Sequence, residues 1–380
     1  MAFNYYIILL PIFLVLLLTI VGVNKAIPLD IAPVAHPEID GIRGYLAFFV
    51  FLHHSYIWQH YIHTKSWDEP TLNLYNHFGQ TSVSLFFCIT SFLFTTKILK
   101  STTDFNWGLY LKSRFYRLFP MYFTVTCVIF ILIGYYTQMK LNTSIGELIS
   151  NSTSWIGFTV AGTLDINGFQ NSYLMNSGAS WTLPYEWMFY FLLPFLALGM
   201  GKKVKAKTLL LFLVLLGSTL YLNQASIRHF MPFIGGIVVA ILLQKNTFST
   251  GLQKPMMNYI AVALLLLSVC FFDSGRKPIP LIATSLFFLL IASGNSIFGL
   301  LSHPLSRKFG QITYSVYLVH GTLLFIIFYG IIGLDRAAQL SQVDYWSIIT
   351  VSVVPLLFIS QLTFKYIELP MMQFLKNKKS

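Results

Sequence analysis

Asp40-Gly41-Ile42-Arg43-Gly44-Tyr45-Leu46-Ala47-Phe48-Phe49-Val50-Phe51-Leu52-His53-His54 sets an arginine at the mouth of an apolar run and a histidine pair eleven positions further in. Eleven residues at about 100° each turn through about 1100°, three turns and roughly 20°, so Arg43 and His54 share one helix face about 16 Å apart along the axis. Asp40 lies about 40° to the other side of that face and His53 about 100° away. The run is long and apolar enough to read as a membrane helix, and ionisable groups inside such a helix are costly enough to mark function.

The rest of the chain agrees with a membrane reading. Of 380 residues, 56% are hydrophobic and only 10% charged, against about a quarter charged in soluble domains. The net charge of +12 does not point to nucleic acid, because the basic residues stand in short loops between apolar runs, where they orient spans. Cys88, Cys127 and Cys270 fall inside apolar runs without a CxxC or Cys/His cluster, so neither a disulfide framework nor a metal site is expected.

Eleven runs are long enough, or nearly so, to cross a bilayer: residues 4–23, 44–63, 79–99, 120–137, 182–200, 207–222, 229–244, 256–272, 279–299, 313–334 and 346–366. The expected fold is therefore all-α, a polytopic membrane protein with about eleven transmembrane helices. No Lys or Arg precedes the first run and no convincing cleavage site follows it, so it reads as a retained helix. Counted over alternate loops, Lys and Arg divide 19 to 6. That bias puts the C-terminus and the loop before Arg43 in the cytoplasm and the N-terminus outside. The segment 138–181, rich in Ser, Thr, Asn and Gly, then falls outside, and loops of that length are usually functional or disordered. No internal repeat is visible.

Polar residues inside the runs narrow the chemistry. His54 is a candidate proton carrier, since imidazole takes and returns a proton near neutrality. His53 stands beside it in a supporting place. Glu186 is the one acid inside a predicted span, in Trp181-Thr-Leu-Pro-Tyr-Glu186-Trp-Met-Phe-Tyr190 at the outer end of its helix. It reads either as an acid capping the helix dipole or, with Trp181 and Tyr185, as a sugar-facing site. His320 shares a face with Tyr317 and Thr313, a polar stripe that lines an interior or satisfies internal hydrogen bonds. Arg114 and Arg117 stand one turn apart, as a topology signal or as a clamp for phosphate groups.

Together these motifs resemble the acyltransferase-3 family of integral-membrane acyltransferases, over about residues 36–372. The resemblance rests on Asp40-Gly-Ile-Arg43-Gly with His54, on Ser84-Leu-Phe-Phe with Ser91-Phe-Leu, and on Arg114-x-x-Arg117 before Pro120-Met-Tyr122. It continues in Trp181-x-Leu-x-x-Glu186, in Tyr314-Ser-Val-Tyr317-Leu-Val-His320, and in Glu368-x-Pro370. Thr90-Ser91 departs from the family's usual Ser-Gly, which removes a glycine where helices would approach closely. Residues 1–35 add a helix and linker before a ten-helix core, and residues 373–380 form a short basic tail.

The resemblance implies transfer of an acyl group, acetyl from acetyl-CoA above all, onto a hydroxyl of a cell-surface or lipid-linked glycan, in a bacterial inner membrane. It implies that Arg43, Arg114 and Arg117 hold the phosphates of the donor and that His54 acts as general base or acyl carrier, with Glu186 among the catalytic groups. Trp181, Tyr185, Glu186, Tyr317 and His320 would meet the acceptor, with Asp40, His53 and Tyr314 in support. The rise from Arg43 to His54, about 16 Å, is comparable to an extended pantetheine arm. The competing class is a transporter or flippase using the intramembrane His and Glu groups as a proton relay, and a structural envelope protein is a third. Consumption of acetyl-CoA with release of free thiol separates the first from both.

Overall fold

The computed structural model describes residues 5–31, 35–101, 105–244, 252 and 254–377. Asn4, where the first predicted run begins, Lys245 of the charge count, and residues 378–380 of the basic tail lie outside the described residues. In chain order the helices are α1 Leu9–Ala26, α2 Pro37–Thr64, α3 Asn73–Lys100, α4 Trp107–Tyr136, α5 Ile145–Ile156, α6 Thr182–Gly199, α7 Ala206–Asn223, α8 Met231–Gln244, α9 Met256–Phe271, α10 Pro278–Ala292, α11 Pro304–Gln311, α12 Thr313–Phe325, α13 Leu334–Ala337, α14 Gln342–Thr363 and α15 Leu369–Asn377. Among the described residues there is no strand, only an isolated bridge between Ile166 and Phe169.

Local signals set the helix ends. Pro37 opens α2, where its missing N–H is not needed, and Glu38 and Asp40 in the first turn complement the dipole. Lys65, in the left-handed region at φ 59°, closes it. Asn106 caps α4 by accepting from the Leu109 amide, and Ser144 caps α5 by accepting from the Glu147 amide. Two helices widen into π turns, α12 over Ile326–Ile332 and α14 over Phe364–Glu368, a feature that often marks functional positions.

Each of the eleven predicted runs coincides with a helix, and seven helices are long and apolar enough to cross a membrane. Apolar side chains cover the outside: Leu10, Leu14 and Leu18 on α1 and Leu210, Leu211, Leu213 and Val214 on α7 are each more than half exposed. Such belts suit lipid and not water, and the chain is an integral membrane protein. Helix α2 is less apolar because it carries the polar groups, and its middle is enclosed, with Leu46 to Ser55 buried apart from Phe49. The run predicted at 279–299 is shorter in the structure. Helix α10 stops at Ala292, where Gly294 takes φ 98° and the Asn295 amide closes a turn on Leu290 O.

Helix α2 is the centre of the bundle, packed against α3, α11 and α12, while α3 packs in turn on α8, and α1 lies against α14. Glycines on both sides explain how α11 and the turn before it reach α2. A Cβ at Gly310 would collide with the carbonyl oxygen of Asp40, and one at Gly41 with that of Leu301. Small residues let membrane helices approach backbone to backbone. Gly310→Val is expected to abolish the folded, monodisperse protein, read by size-exclusion chromatography of the solubilised chain. A normal elution profile would refute that packing. The glycine absent from Thr90-Ser91 is supplied by the facing helix: a Cβ at Gly236 of α8 would strike Cys88 O and Ser91 Oγ.

Candidate active site

The polar residues gather in two tiers along α2. In the first, His54 Nδ1 lies 2.9 Å from His320 Nε2, with the rings stacked at 5.0 Å between centroids. His320 is fully buried and His54 nearly so, at 8% exposure. His320 Nδ1 approaches the carbonyl of Val316 at 3.3 Å. A carbonyl only accepts, so His320 carries its hydrogen on Nδ1 and its Nε2 is an acceptor. His54 must then donate from Nδ1, which leaves the lone pair of His54 Nε2 available to take a proton. His53 is differently engaged: its Nδ1 donates to Tyr75 O at 2.8 Å, fastening α2 to α3. Trp67, from the short loop after α2, lies over the His54 ring at 6.3 Å.

The loop 138–181 builds the far wall of this tier. It is ordered through α5, whose Trp155 is fully buried and donates to Leu164 O at 2.8 Å. Two 3₁₀ turns, Ser172–Asn176 and Ala179–Trp181, then re-enter the bundle. Gly321 of α12 faces Asn176 with no space for a Cβ, and Trp58 Nε1 donates to Ser177 Oγ at 2.9 Å. The Tyr317 hydroxyl donates to Ala179 O at 2.9 Å and also meets Thr182 Oγ1 at 2.9 Å. Tyr317 therefore holds the turn, and Tyr314 ties α12 to α4 by donating to Leu118 O at 3.0 Å.

Glu186 stands in the opening turns of α6, at the helix end where the motif placed it, and the re-entry sets that end deep among its neighbours. Helix α6 starts at the bottom of a descending loop, so its first turn is already deep. Glu186 Oε1 accepts from Thr90 Oγ1 at 3.1 Å and from the Tyr190 hydroxyl at 3.0 Å. Helix α3 runs antiparallel to α2, with Gly79 against the His53 ring and Phe92 against His36. Thr90 is eleven residues beyond Gly79, just as Arg43 is eleven before His54, so Glu186 stands level with Arg43, about 16 Å from the histidine pair along the axis.

The second tier is an ionic network around Arg43. Arg43 Nη1 is 4.0 Å from Asp40 Oδ1, and Arg117 Nη1 is 3.4 Å from Glu368 Oε2. Arg43 also feels the charges of Arg117, Glu186 and Glu368. Arg114 lies over the Phe94 ring at 4.8 Å, and its field reaches Glu186. Arg43 is deep in the protein yet keeps 27% of its side-chain surface open, so it lines an opening rather than packed core. Three arginines against Glu186 and Glu368 leave an excess cation there, apart from half-exposed Asp40. Sequence reading missed Glu368, fully enclosed at 1% exposure and accepting from Ser315 Oγ. The signal was its place in Glu368-x-Pro370, beyond the end of the predicted span. Glu186 is thus not the only acid inside the bundle.

Trp181 and Tyr185 join neither tier. Trp181 packs on His229 at 4.7 Å and under the Arg276 guanidinium at 5.5 Å. The Tyr185 hydroxyl accepts from the Ser226 amide at 2.9 Å. Among the described residues no group of three or more His, Cys, Asp or Glu comes together to hold a metal ion.

The all-helical bundle, with its histidine pair and arginine tier inside a lipid-facing belt, defines the class of a polytopic integral membrane protein. The acyltransferase domain of the acyltransferase-3 type matches residues 36–365, and the chain belongs to that family. No curated protein and no solved structure matches it. The family assignment makes the chain an acyltransferase.

Proposed function

We propose that the chain transfers acetyl from acetyl-CoA to a hydroxyl of a cell-surface or lipid-linked glycan, with residues 36–372 as the catalytic domain. The observation that carries this reading is the free Nε2 of His54, held by His320 and standing about 16 Å along α2 from the open face of Arg43. The loop charge count supports a cytoplasmic Arg43 end, where acetyl-CoA is made. Arg43, Arg114 and Arg117 hold the donor's phosphates, Arg117 exchanging part of its hold on Glu368 for the phosphate. The pantetheine arm then runs along α2 and brings the thioester to His54.

His54 Nε2 takes the proton of the acceptor hydroxyl as its oxygen attacks the thioester carbonyl. The C–S bond breaks, and the departing thiolate recovers the proton from His54. The imidazolium formed in between is stabilised through its Nδ1–H bond to His320, which orients the ring. Glu186, level with Arg43, belongs in this reading to the donor end, where it balances the arginines, and not to the acceptor end. The acceptor approaches from the Thr64 end of α2, past Trp67 and the re-entrant turns.

Arg43→Ala is expected to raise the KM for acetyl-CoA about tenfold or more, the worth of a charge-assisted contact, with a smaller change in kcat. Steady-state kinetics on purified protein with free-thiol detection measures both. An unchanged donor KM would remove Arg43 from the donor site. The same assay tests the function itself: no thiol release with any glycan preparation, together with proton-coupled transport, would favour the transporter.

A further inference from the structure

By composition residues 138–181 belong outside the bilayer, yet their first helix, α5, is pinned far down α4. At its end the Tyr122 hydroxyl donates to Trp155 O, and Phe158 stacks on the Tyr122 ring at 4.7 Å and packs against Phe119 at 5.9 Å. Its beginning is held at the other end of α4. There Asn167 Nδ2 donates to Thr137 Oγ1 at 3.1 Å and to Lys140 O at 2.7 Å, and Met139 folds back over Gly134. Fifteen positions separate Tyr122 from Thr137, about 22 Å along the axis of α4. Helix α5 has 12 residues and is about 18 Å long, so it covers that drop only by running back down beside α4.

Tyr135 and Tyr136 close α4, and such rings mark the membrane–water interface. The hydrocarbon beyond the interface is about 30 Å thick, so the Trp155 end of α5 lies inside it. Polar groups at that depth must be satisfied within the protein. Asn151 Nδ2 donates to Asp165 O at 2.7 Å, Ser154 Oγ to Gly162 O at 2.8 Å and Thr153 Oγ1 to Ile149 O at 2.7 Å. Trp155 bonds Leu164 O, as described above. The face of α5 that these contacts leave over carries Ile145, Ile149 and Ile156 within an arc of about 40°. Ile145 and Ile149 are more than half exposed and Ile156 more than a third. The clamped side keeps the helix from rolling them inward.

We propose that α5 is a re-entrant membrane helix whose stripe of Ile145, Ile149 and Ile156 lies against the acyl chains of the bilayer. Lipid, not water, then covers the outside of the segment that walls the His54 tier. Lipid is the partner the surroundings indicate. The stripe is apolar from the first residue of the helix to the last, and Met139 joins it to the face of α4 where Ile131 and Tyr135 are also more than half exposed. The acid of α5, Glu147, stands in its first turn, nearest the rim. The inference does not depend on the acetyl-transfer reading.

The test is power-saturation EPR on the full-length chain in liposomes of phosphatidylethanolamine and phosphatidylglycerol. Nitroxide labels are placed one at a time at Ile145→Cys, Ile149→Cys and Ile156→Cys, with Cys127→Ala and Cys270→Ala, while fully buried Cys88 stays unlabelled. The three side chains are exposed, so the labels displace no core, and an unchanged melting temperature confirms folding. Access to oxygen should rise, and access to a water-soluble nickel chelate fall, from Ile145 to Ile149 to Ile156. The eleven positions between the outer two correspond to a depth difference of up to about 16 Å. Equal and high access to nickel at all three would show a helix in water and overturn the proposal. Shielding from both oxygen and nickel would show that protein, such as a second copy of the chain, covers the stripe, and would overturn the lipid contact.

Discussion

Alanine at His54 is expected to cut acyl transfer by at least about a hundredfold while leaving the chain folded, since positioned general bases contribute about 10²–10⁴-fold. The fold should survive because the side-chain hydrogen bond of His54 runs to His320, and no backbone ladder depends on it. The cost is one acceptor, His320 Nε2, left without its donor, about 1–3 kcal/mol. Matching His320→Gln should slow the reaction less, because the amide oxygen can still accept from His54 Nδ1–H. Activity should also fall on acidification, as protonation removes the Nε2 lone pair. Full activity in His54→Ala membranes at equal protein level would rule out this base.

The same variant separates the two chemistries open to His54. A chain carrying the acyl group on imidazole would retain label from acetyl-labelled donor in the absence of acceptor, and His54→Ala would abolish that label. A base alone would leave the protein unlabelled in both forms. The shared N–H between His54 and His320 favours the base, because it leaves one ring nitrogen free and supports the charge that proton uptake creates on the other.

Much of this arrangement was legible because helix geometry is periodic. The eleven-residue spacing of Arg43 and His54 gave both their common face and their separation before any packing was known. The family's motifs brought in Arg117 and His320 from distant parts of the chain. What stayed hidden depended on non-local packing. Glu186 begins a helix, and its depth depends on how far loop 138–181 descends before that helix starts, which no hydropathy window contains. Tyr185 shares a motif with Glu186 but faces away from it towards Ser226 and His229, since adjacent helical positions point about 100° apart, and Trp181 lies before the helix, in the turn Ala179–Trp181. Glu368 lies in a π turn, where the 3.6-residue period fails. The departure at Thr90-Ser91 was compensated on another helix by Gly236.

Glu368 supplies the second large effect. Removing it strands Arg117, only 15% exposed, and removing Arg117 strands Glu368, fully buried. Breaking one partner of such a pair costs about 3 kcal/mol or more, whereas removing both leaves no uncompensated charge. Arg117→Ala and Glu368→Ala are therefore each expected to destabilise the purified protein by about 3 kcal/mol, and the double variant by little more than either. Unfolding in detergent, followed as a double-mutant cycle, measures the coupling. Simple additivity would mean the two side chains do not interact in the folded protein. The pair also has a functional reading that stability alone does not test. An arginine already neutralised by Glu368 is a weaker phosphate ligand, so under the proposed acetyl-CoA reading the carboxylate would set how tightly the product, free coenzyme A, is held. Glu368→Gln, which keeps the Ser315 contact but drops the charge, should then lower the inhibition constant for coenzyme A while Arg117→Ala raises it. Movement of both constants in the same direction would show that Glu368 only positions Arg117 and does not compete with the donor.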